Sequence, residues 1–286
     1  MHSDCYFKIG RTHKVCEDYA RAKTLPHSYL DDVRPYAVVS DGCSGSEDTD
    51  LGARLMALSV EDTLRHTDAL EEGRILSRLK RIRPPYLPDT CLDTTVLAVY
   101  PIEPDVLDIF VVGDGVVCLK TKEGALRTFV IEALPGESGK VAPFYLSYNN
   151  QFNYQRLEHF LKQGYNKRKI SEYLNGKLVT EREQEIVPQD PTHRFLTRNW
   201  RLFVKIEEVE MAAVFSDGVQ SFKQEVRPKF FEPVPVHDVL EQVMAIKISK
   251  GEFVVRRCQK FFNKFCVKNQ WVHDDDFSMA AIWCGE

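Results

Sequence analysis

Apolar runs of strand length recur through the first half of the chain: YAVVSDG from Tyr36, DTTVLAVYP from Asp93, DVLDIFVVGDG from Asp105, VVCLKTKE from Val116, LRTFVIEA from Leu126 and PFYLSY from Pro143. Turn residues such as Pro-Asp and Asp-Gly separate several of them, and successive strands with no helix between them imply antiparallel meanders. Helical spacing appears over 49–67, where Leu51, Leu55 and Leu58 share a face after a Thr-Asp start, and again in RILSRLKRI from Arg74. It returns over 236–249 and 252–269. The last of these places Phe253, Phe261, Phe262, Phe265 and Cys266 on one side, as a core-facing stripe would be.

Residues 135–200 break the pattern. They are rich in Asn, Gln, Lys and Tyr, with a helical patch, YQRLEHFLKQG, from Tyr154. A segment this long and polar inside a compact chain is expected to be an insertion or flap that selects partners and leaves the chemistry to a rigid scaffold. No repeat interrupts the 286 residues, and RPPYLPDT from Arg83 reads as a loop, so a single domain is expected over 1–286.

Composition narrows the class only slightly. Apolar residues make up 43% and charged residues 28%, ordinary globular usage. A net charge of -4 offers no electrostatic footprint for nucleic acid, and the basic run RLKRIR from Arg78 reads as a solvated helix face. The eight cysteines form no CxxC pair and no zinc-like spacing, so free thiols are expected. The opening MHSDCYFKIG lacks an apolar leader core, and no apolar run approaches the ~20 residues of a membrane helix. A cytoplasmic chain with no membrane partner is the expectation.

Candidate chemistry lies in carboxylates at strand ends. Asp41-Gly42 closes YAVVSDG, Asp217-Gly218 closes AAVFSDG, Asp114 sits in VVGDG, and Asp274, Asp275 and Asp276 precede the final apolar run. A single Asp-Gly after a strand is ordinarily a turn. Its repetition points instead to acidic groups meeting at one sheet edge, where hard divalent cations would offset their repulsion.

The order of these motifs resembles that of the metal-dependent type 2C protein serine/threonine phosphatases. HKVCEDYA is similar to the family's acidic pair, SDGCSGS to its DGHGG, DTTVLAVY to its glycine-threonine strand, VVGDGVV to its GDSR, VFSDGVQ to its SDG and DDFSMAAI to its DN-x-T strand. The resemblance spans Gly10 to Ile282. It implies an α+β fold of four layers (α/β/β/α), two antiparallel sheets face to face and flanked by helices, with two Mn2+ or Mg2+ ions at one end. By the same resemblance Asp41 would bridge the ions. Glu17 and the Gly42 carbonyl would complete one site, Asp217 and Asp275 the other, and Asp114 would face a third, weaker position. Asp18 would take a hydrogen bond from the attacking water, and Asp276 stands where many members have Asn. Such a pair of cations would activate water and neutralise phosphoryl charge, so no protein nucleophile is required.

The sequence departs from the pattern at the histidine of DGHGG, replaced by Cys43, and at GDSR, which here reads Gly113-Asp114-Gly115-Val116. Four residues before Glu17, where the family often has a phosphate-gripping arginine, stands His13, with Arg11 two positions earlier. His13 and Arg11 are therefore the candidates for substrate phosphate, and His13 with Asp18 for catalysis. The expected activity is hydrolysis of phosphoserine and phosphothreonine in a phosphoprotein, with a serine/threonine kinase pathway as its source. The alternatives are a type 2C fold kept as a regulatory or binding module, and a metal phosphodiesterase or nuclease, which would favour a more basic surface.

Overall fold

A computed structural model describes residues 1–26, 33–149, 154–165, 167–186, 199–247 and 249–285. Residues 150–153, 166 and 187–198 of the segment expected as an insertion, and residue 248 of the helix expected over 236–249, lie outside the described residues. The strands are β1 (His2–Lys8), β2 (Tyr19–Pro26), β3 (Val33–Ser40), β4 (Val96–Glu103), β5 (Val106–Val112), β6 (Gly115–Thr121), β7 (Leu126–Ala133), β8 (Lys167–Leu174), β9 (Lys177–Glu185), β10 (Trp200–Lys205), β11 (Val209–Phe215), β12 (Phe222–Arg227), β13 (Phe230–Pro233), β14 (Trp271–His273) and β15 (Phe277–Trp283). The helices are α1 (Thr49–His66), α2 (Glu72–Ile82), α3 (Tyr154–Lys162), α4 (Val236–Met244) and α5 (Phe253–Lys260).

The strands form a seven-stranded sheet in the order β1-β15-β11-β6-β7-β8-β9, a five-stranded sheet in the order β10-β5-β4-β3-β2, and a small sheet β13-β12-β14. All pairings are antiparallel. Because side chains alternate across a strand, each large sheet has two apolar faces to bury, and three cores result. Val39, Leu97 and Ile109 of one sheet meet Val117, Ala212 and Ile282 of the other between the two sheets. The outer face of the five-stranded sheet, with Val38 and Phe110, packs on α1 and α2 through Met56, Val60, Ile75 and Leu79. The outer face of the seven-stranded sheet, with Phe215 and Met279, packs on α4 and α5 through Val239, Val243 and Phe253.

Several local expectations change. PFYLSY forms no strand; its end is a 3-10 turn at Leu146–Asn149, with Phe144 and Leu146 buried under α3. On α1 the buried side is Gly52, Ala53, Met56, Ala57 and Val60; of the expected leucines, Leu55 packs part-buried against that core, while Leu51 and Leu58 are exposed. Small residues win that face because the helix lies so close to the 3-10 turn at Asp89–Leu92, just before β4, that a Cβ on Gly52 would stand 1.6 Å from the Cys91 carbonyl oxygen. The helix expected over 236–249 ends at Met244. The helix expected over 252–269 is present, but it passes through a π-helical turn at Phe261–Cys266. Phe253, Phe261, Phe262 and Cys266 are buried there as expected. Within the 135–200 segment, β8 and β9 extend the seven-stranded sheet, and Ile170 joins the core between the sheets. The RLKRIR run lies on α2 and its end, where Arg78 and Arg81 pair with Asp62. The eight cysteines carry free thiols. Among the described residues no helix is long and apolar enough to cross a membrane.

Candidate active site

Antiparallel register brings the strand-end carboxylates to one end of both large sheets. Glu17 and Asp18 enter β2 where β3 finishes in Asp41, since Tyr19 pairs with Ser40. Asp114 lies between β5 and β6. Val116 at the start of β6 pairs with Phe215 at the end of β11, just before Asp217. Met279 of β15 pairs with the same Phe215, which places Asp275 and Asp276 at that end too.

Backbone contacts hold this end rigid. Asp41 donates its N–H to Thr95 Oγ1 at 3.0 Å and accepts from the Thr95 N–H at 2.8 Å. Gly42 donates to the Glu17 carbonyl at 3.2 Å. A Cβ at Gly42 would stand 2.8 Å from Thr49 Cβ and 2.9 Å from that same carbonyl, so only glycine fits. Asp276 is buried and binds two backbone N–H groups, Gly10 at 2.7 Å and Glu17 at 2.6 Å, which ties the chain before β2 to the start of β15.

The electrostatics of the cluster are unfavourable. Burial pushes Asp41 well above the ordinary carboxylate range, and the charges of Asp18, Asp217 and Asp114 push it further. Asp114 is raised by burial and then by Asp217. Asp217 is raised by burial and then by Asp275. Asp18 is pushed up to about 8, chiefly by burial, although the nearby Ser216 and Ser278 hydroxyls and Asp41 act to lower it. Neither carboxylate oxygen of Asp18 has a hydrogen bond of normal geometry among the described residues. Buried polar atoms without partners are rare and costly. Glu17, part-buried, is raised by burial. Among the described residues no three His, Cys, Asp or Glu side chains already surround one point as a metal cage. The donors are nevertheless the oxygens that Mg2+ or Mn2+ prefers, and the mutually repelling carboxylates, beside the unpartnered Asp18, fit such a cation.

His13 lies within this cluster. Its Nε2 is 3.3 Å from Asp275 Oδ1, and its Nδ1 is 3.1 Å from Asp276 Oδ2 and 4.0 Å from Glu17 Oε2. The Nδ1 approach to Asp276 falls short of hydrogen-bond geometry. Burial acts to lower the His13 pKa, but the surrounding Asp276, Asp275 and Glu17 outweigh it and raise it. Arg11 is committed elsewhere: its Nε and Nη2 bind Asp274 Oδ1 at 3.0 and 2.6 Å, and its guanidinium stacks on the Phe231 ring.

Three residues at this end carry no sequence signal of their own. Asp93, the first residue of DTTVLAVY, accepts from Ser46 Oγ at 3.0 Å and Ser147 Oγ at 2.8 Å and pairs with Arg156 of α3. It thereby binds the turn after Asp41 to the segment after β7. Tyr145 from that segment is buried with its hydroxyl beside the Cys43 thiol and near Asp114 and Asp41; burial first, then those groups, push its pKa up. Lys169 of β8 lines an open cleft of about 490 Å³ together with Asp114, Glu132, Val141, Asp217 and Asp275. The 135–200 segment therefore borders the acidic cluster, through Val141 and Lys169.

The family model for protein phosphatase 2C matches residues 10–247, which include Glu17, Asp41, Asp114 and Asp217. The chain belongs to the protein phosphatase 2C family. In solved structures it is similar to a serine/threonine phosphatase of S. agalactiae, at 12% identity and a TM-score of 0.51, over 100% of this chain and 99% of that one. It is also similar to a bacterial serine phosphatase carrying an arginine-to-lysine substitution, at 9% identity and a TM-score of 0.50, over 100% and 99% of the two chains. These likenesses establish a shared fold of helices and antiparallel sheets. No curated protein matches the sequence.

Proposed function

We propose that this protein phosphatase 2C family member is a metal-dependent phosphatase that hydrolyses phosphoserine and phosphothreonine in proteins. The observation that carries the reading is the set of buried Asp18 and part-buried Asp41, Asp114 and Asp217, gathered at one end of the sheets with their charged forms destabilised by desolvation and by one another. A fold retains such a costly arrangement when a bound cation repays it.

In this reading Asp41 would be shared between two Mn2+ or Mg2+ ions. Glu17 and the Gly42 carbonyl would hold one, Asp217 and Asp275 the other, and Asp114 would face a third, weaker position. When bound, the ions supply an activated water and neutralise the phosphoryl oxygens. Asp18, whose oxygens are without partners among the described residues, would accept a hydrogen bond from such a water and orient it. Thr95 and Asp276 fix the backbones of Asp41 and Glu17, so the ligands need little reorganisation. Phosphate binding by Arg11 requires it to leave Asp274, and by His13 to leave Asp275 and Asp276. The substrate is a phosphoprotein, with a partner serine/threonine kinase as the source of its phosphate, and the reaction is placed in the cytoplasm. Neither nucleic acid nor membrane is a proposed partner.

Replacement of the family histidine by Cys43, next to Tyr145, favours a second reading in which the fold serves as a regulatory module. Hydrolysis of p-nitrophenyl phosphate with Mn2+ and with chelator separates the two: turnover that requires the cation supports the phosphatase, and its absence in a folded, metal-loaded protein supports the module.

A further inference from the structure

If a phosphoryl group enters the acidic cleft, its negative charge needs a cation from the protein beside the metal positions. His13 is enclosed by Glu17, Asp275 and Asp276, Arg11 is bound to Asp274 and stacked on Phe231, and Lys223 is bound to Asp274 at 2.6 Å. Lys169 is the one cation among the described residues that line the cleft.

Register explains how it arrives there. Gly115 of β6 pairs with Ile131 of β7, which sets Asp114 level with Glu132, and Glu132 pairs with Lys169 of β8. Asp114, Glu132 and Lys169 thus form one row across the sheet. At ~4.8 Å per strand the outer two stand roughly 10 Å apart at their Cα atoms, a gap that an extended lysine largely crosses. In this structure Lys169 Nζ rests 3.1 Å from Glu132 Oε2 and 3.9 Å from Glu181 Oε2, and Gln220 Nε2 holds the other Glu132 oxygen at 3.2 Å. The Lys169 side chain is one-third exposed, so it can swing without unpacking the core.

We propose that Lys169 binds a non-bridging oxygen of the substrate phosphoryl group, releasing Glu132 as it does so, and thereby supplies the charge for which the family often uses an arginine before its acidic pair. This rests on the phosphatase reading for its substrate, and it makes β8 part of the binding site as well as a wall for docking. Lysine is suited to the task as a point charge on a flexible stem.

The test uses the full chain with Mn2+, comparing wild type with Lys169→Gln and Lys169→Arg. Two quantities are read: KM for p-nitrophenyl phosphate, and the affinity for inorganic phosphate measured by calorimetry, which needs no turnover. Loss of one charged hydrogen bond should weaken both roughly tenfold in Lys169→Gln. Lys169→Arg should recover most of the loss, and Mn2+ affinity should not fall in either variant. Equal phosphate affinity in wild type and Lys169→Gln overturns the proposal, as does phosphate that binds neither protein. A change confined to Mn2+ affinity also overturns it, by assigning Lys169 to the third cation position. If wild type binds phosphate through Lys169 yet hydrolyses nothing, the proposal stands and the phosphatase reading falls.

Discussion

The backbone N–H of Glu17 donates to Asp276 Oδ2 at 2.6 Å across 259 positions of sequence, with Gly10 on the other oxygen at 2.7 Å. One buried carboxylate thus holds the chain that carries Arg11, His13, Glu17 and Asp18 against the turn before β15, which carries Asp275. Asp276→Ala should leave two N–H groups without an acceptor and destabilise the protein by about 2 kcal/mol or more. Asp276→Asn, which keeps one acceptor, should cost less. Urea denaturation of the two variants checks this; equal stabilities would remove Asp276 from its anchoring role.

Repulsion among the clustered carboxylates gives Asp41→Asn and Asp217→Asn a paired signature. Each should lower turnover roughly 100-fold or more by weakening cation binding, and each should raise the melting temperature of the metal-free protein, because a neutral amide relieves the crowding of charges seen at both positions. Calorimetric Mn2+ titration and thermal melts report the two halves separately. Wild-type-like turnover in either variant contradicts the ligand assignment.

The same carboxylates predict a pH dependence. Asp18 moves from an ordinary 3.8 up to about 8 on folding, and Asp41, Asp217 and Glu17 also move up. A carboxyl whose pKa rises on folding contributes its stability while protonated. That contribution is full below about pH 4 and fades as pH climbs through the folded value. Metal-free wild type should therefore lose stability relative to Asp18→Asn between about pH 4 and pH 8. The comparison cancels the opposite trend of buried His273, whose pKa is lowered to about 4. Mn2+ should restore stability most strongly at the upper end. A stability difference between the two proteins that stays constant across that window contradicts the account.

Much of this end of the molecule was legible because its residues are few and local. Asp41-Gly42, Asp114 and Asp217-Gly218 each follow or join apolar strands, and the strands' register brings their ends together. Less could be read where a residue acts at long range. Asp93 sits inside a quoted motif, but its partners Ser147 and Arg156 lie 54 and 63 positions away. Lys169 is one lysine in a polar stretch, and only the pairing of β7 with β8 aligns it with Asp114. The face of α1 was misread for a related reason: leucine spacing marks an apolar side, but close helix packing is set by Gly52, Ala53 and Ala57, which an apolar count underweights.

Cys43 stands where the family's histidine would be, with its thiol beside the Tyr145 hydroxyl. Cys43→Ser keeps a small polar donor at that contact and should leave turnover within a few-fold of wild type. Cys43→His should raise it if the position still faces the leaving oxygen. Rates on a phosphothreonine peptide, measured alongside metal content and melting temperature, check both. A severe loss in folded, metal-replete Cys43→Ser would give the thiol a catalytic role.

In the proposed reading the strand-end carboxylates hold cations that activate water for phosphomonoester hydrolysis. The most direct test is release of phosphate from a phosphothreonine peptide by the purified chain in Mn2+ or Mg2+, with excess chelator and with Asp41→Asn as controls. The account predicts release with cation, none with chelator, and at least a 100-fold loss in Asp41→Asn. Release that persists in chelator, or that survives in Asp41→Asn, would contradict it.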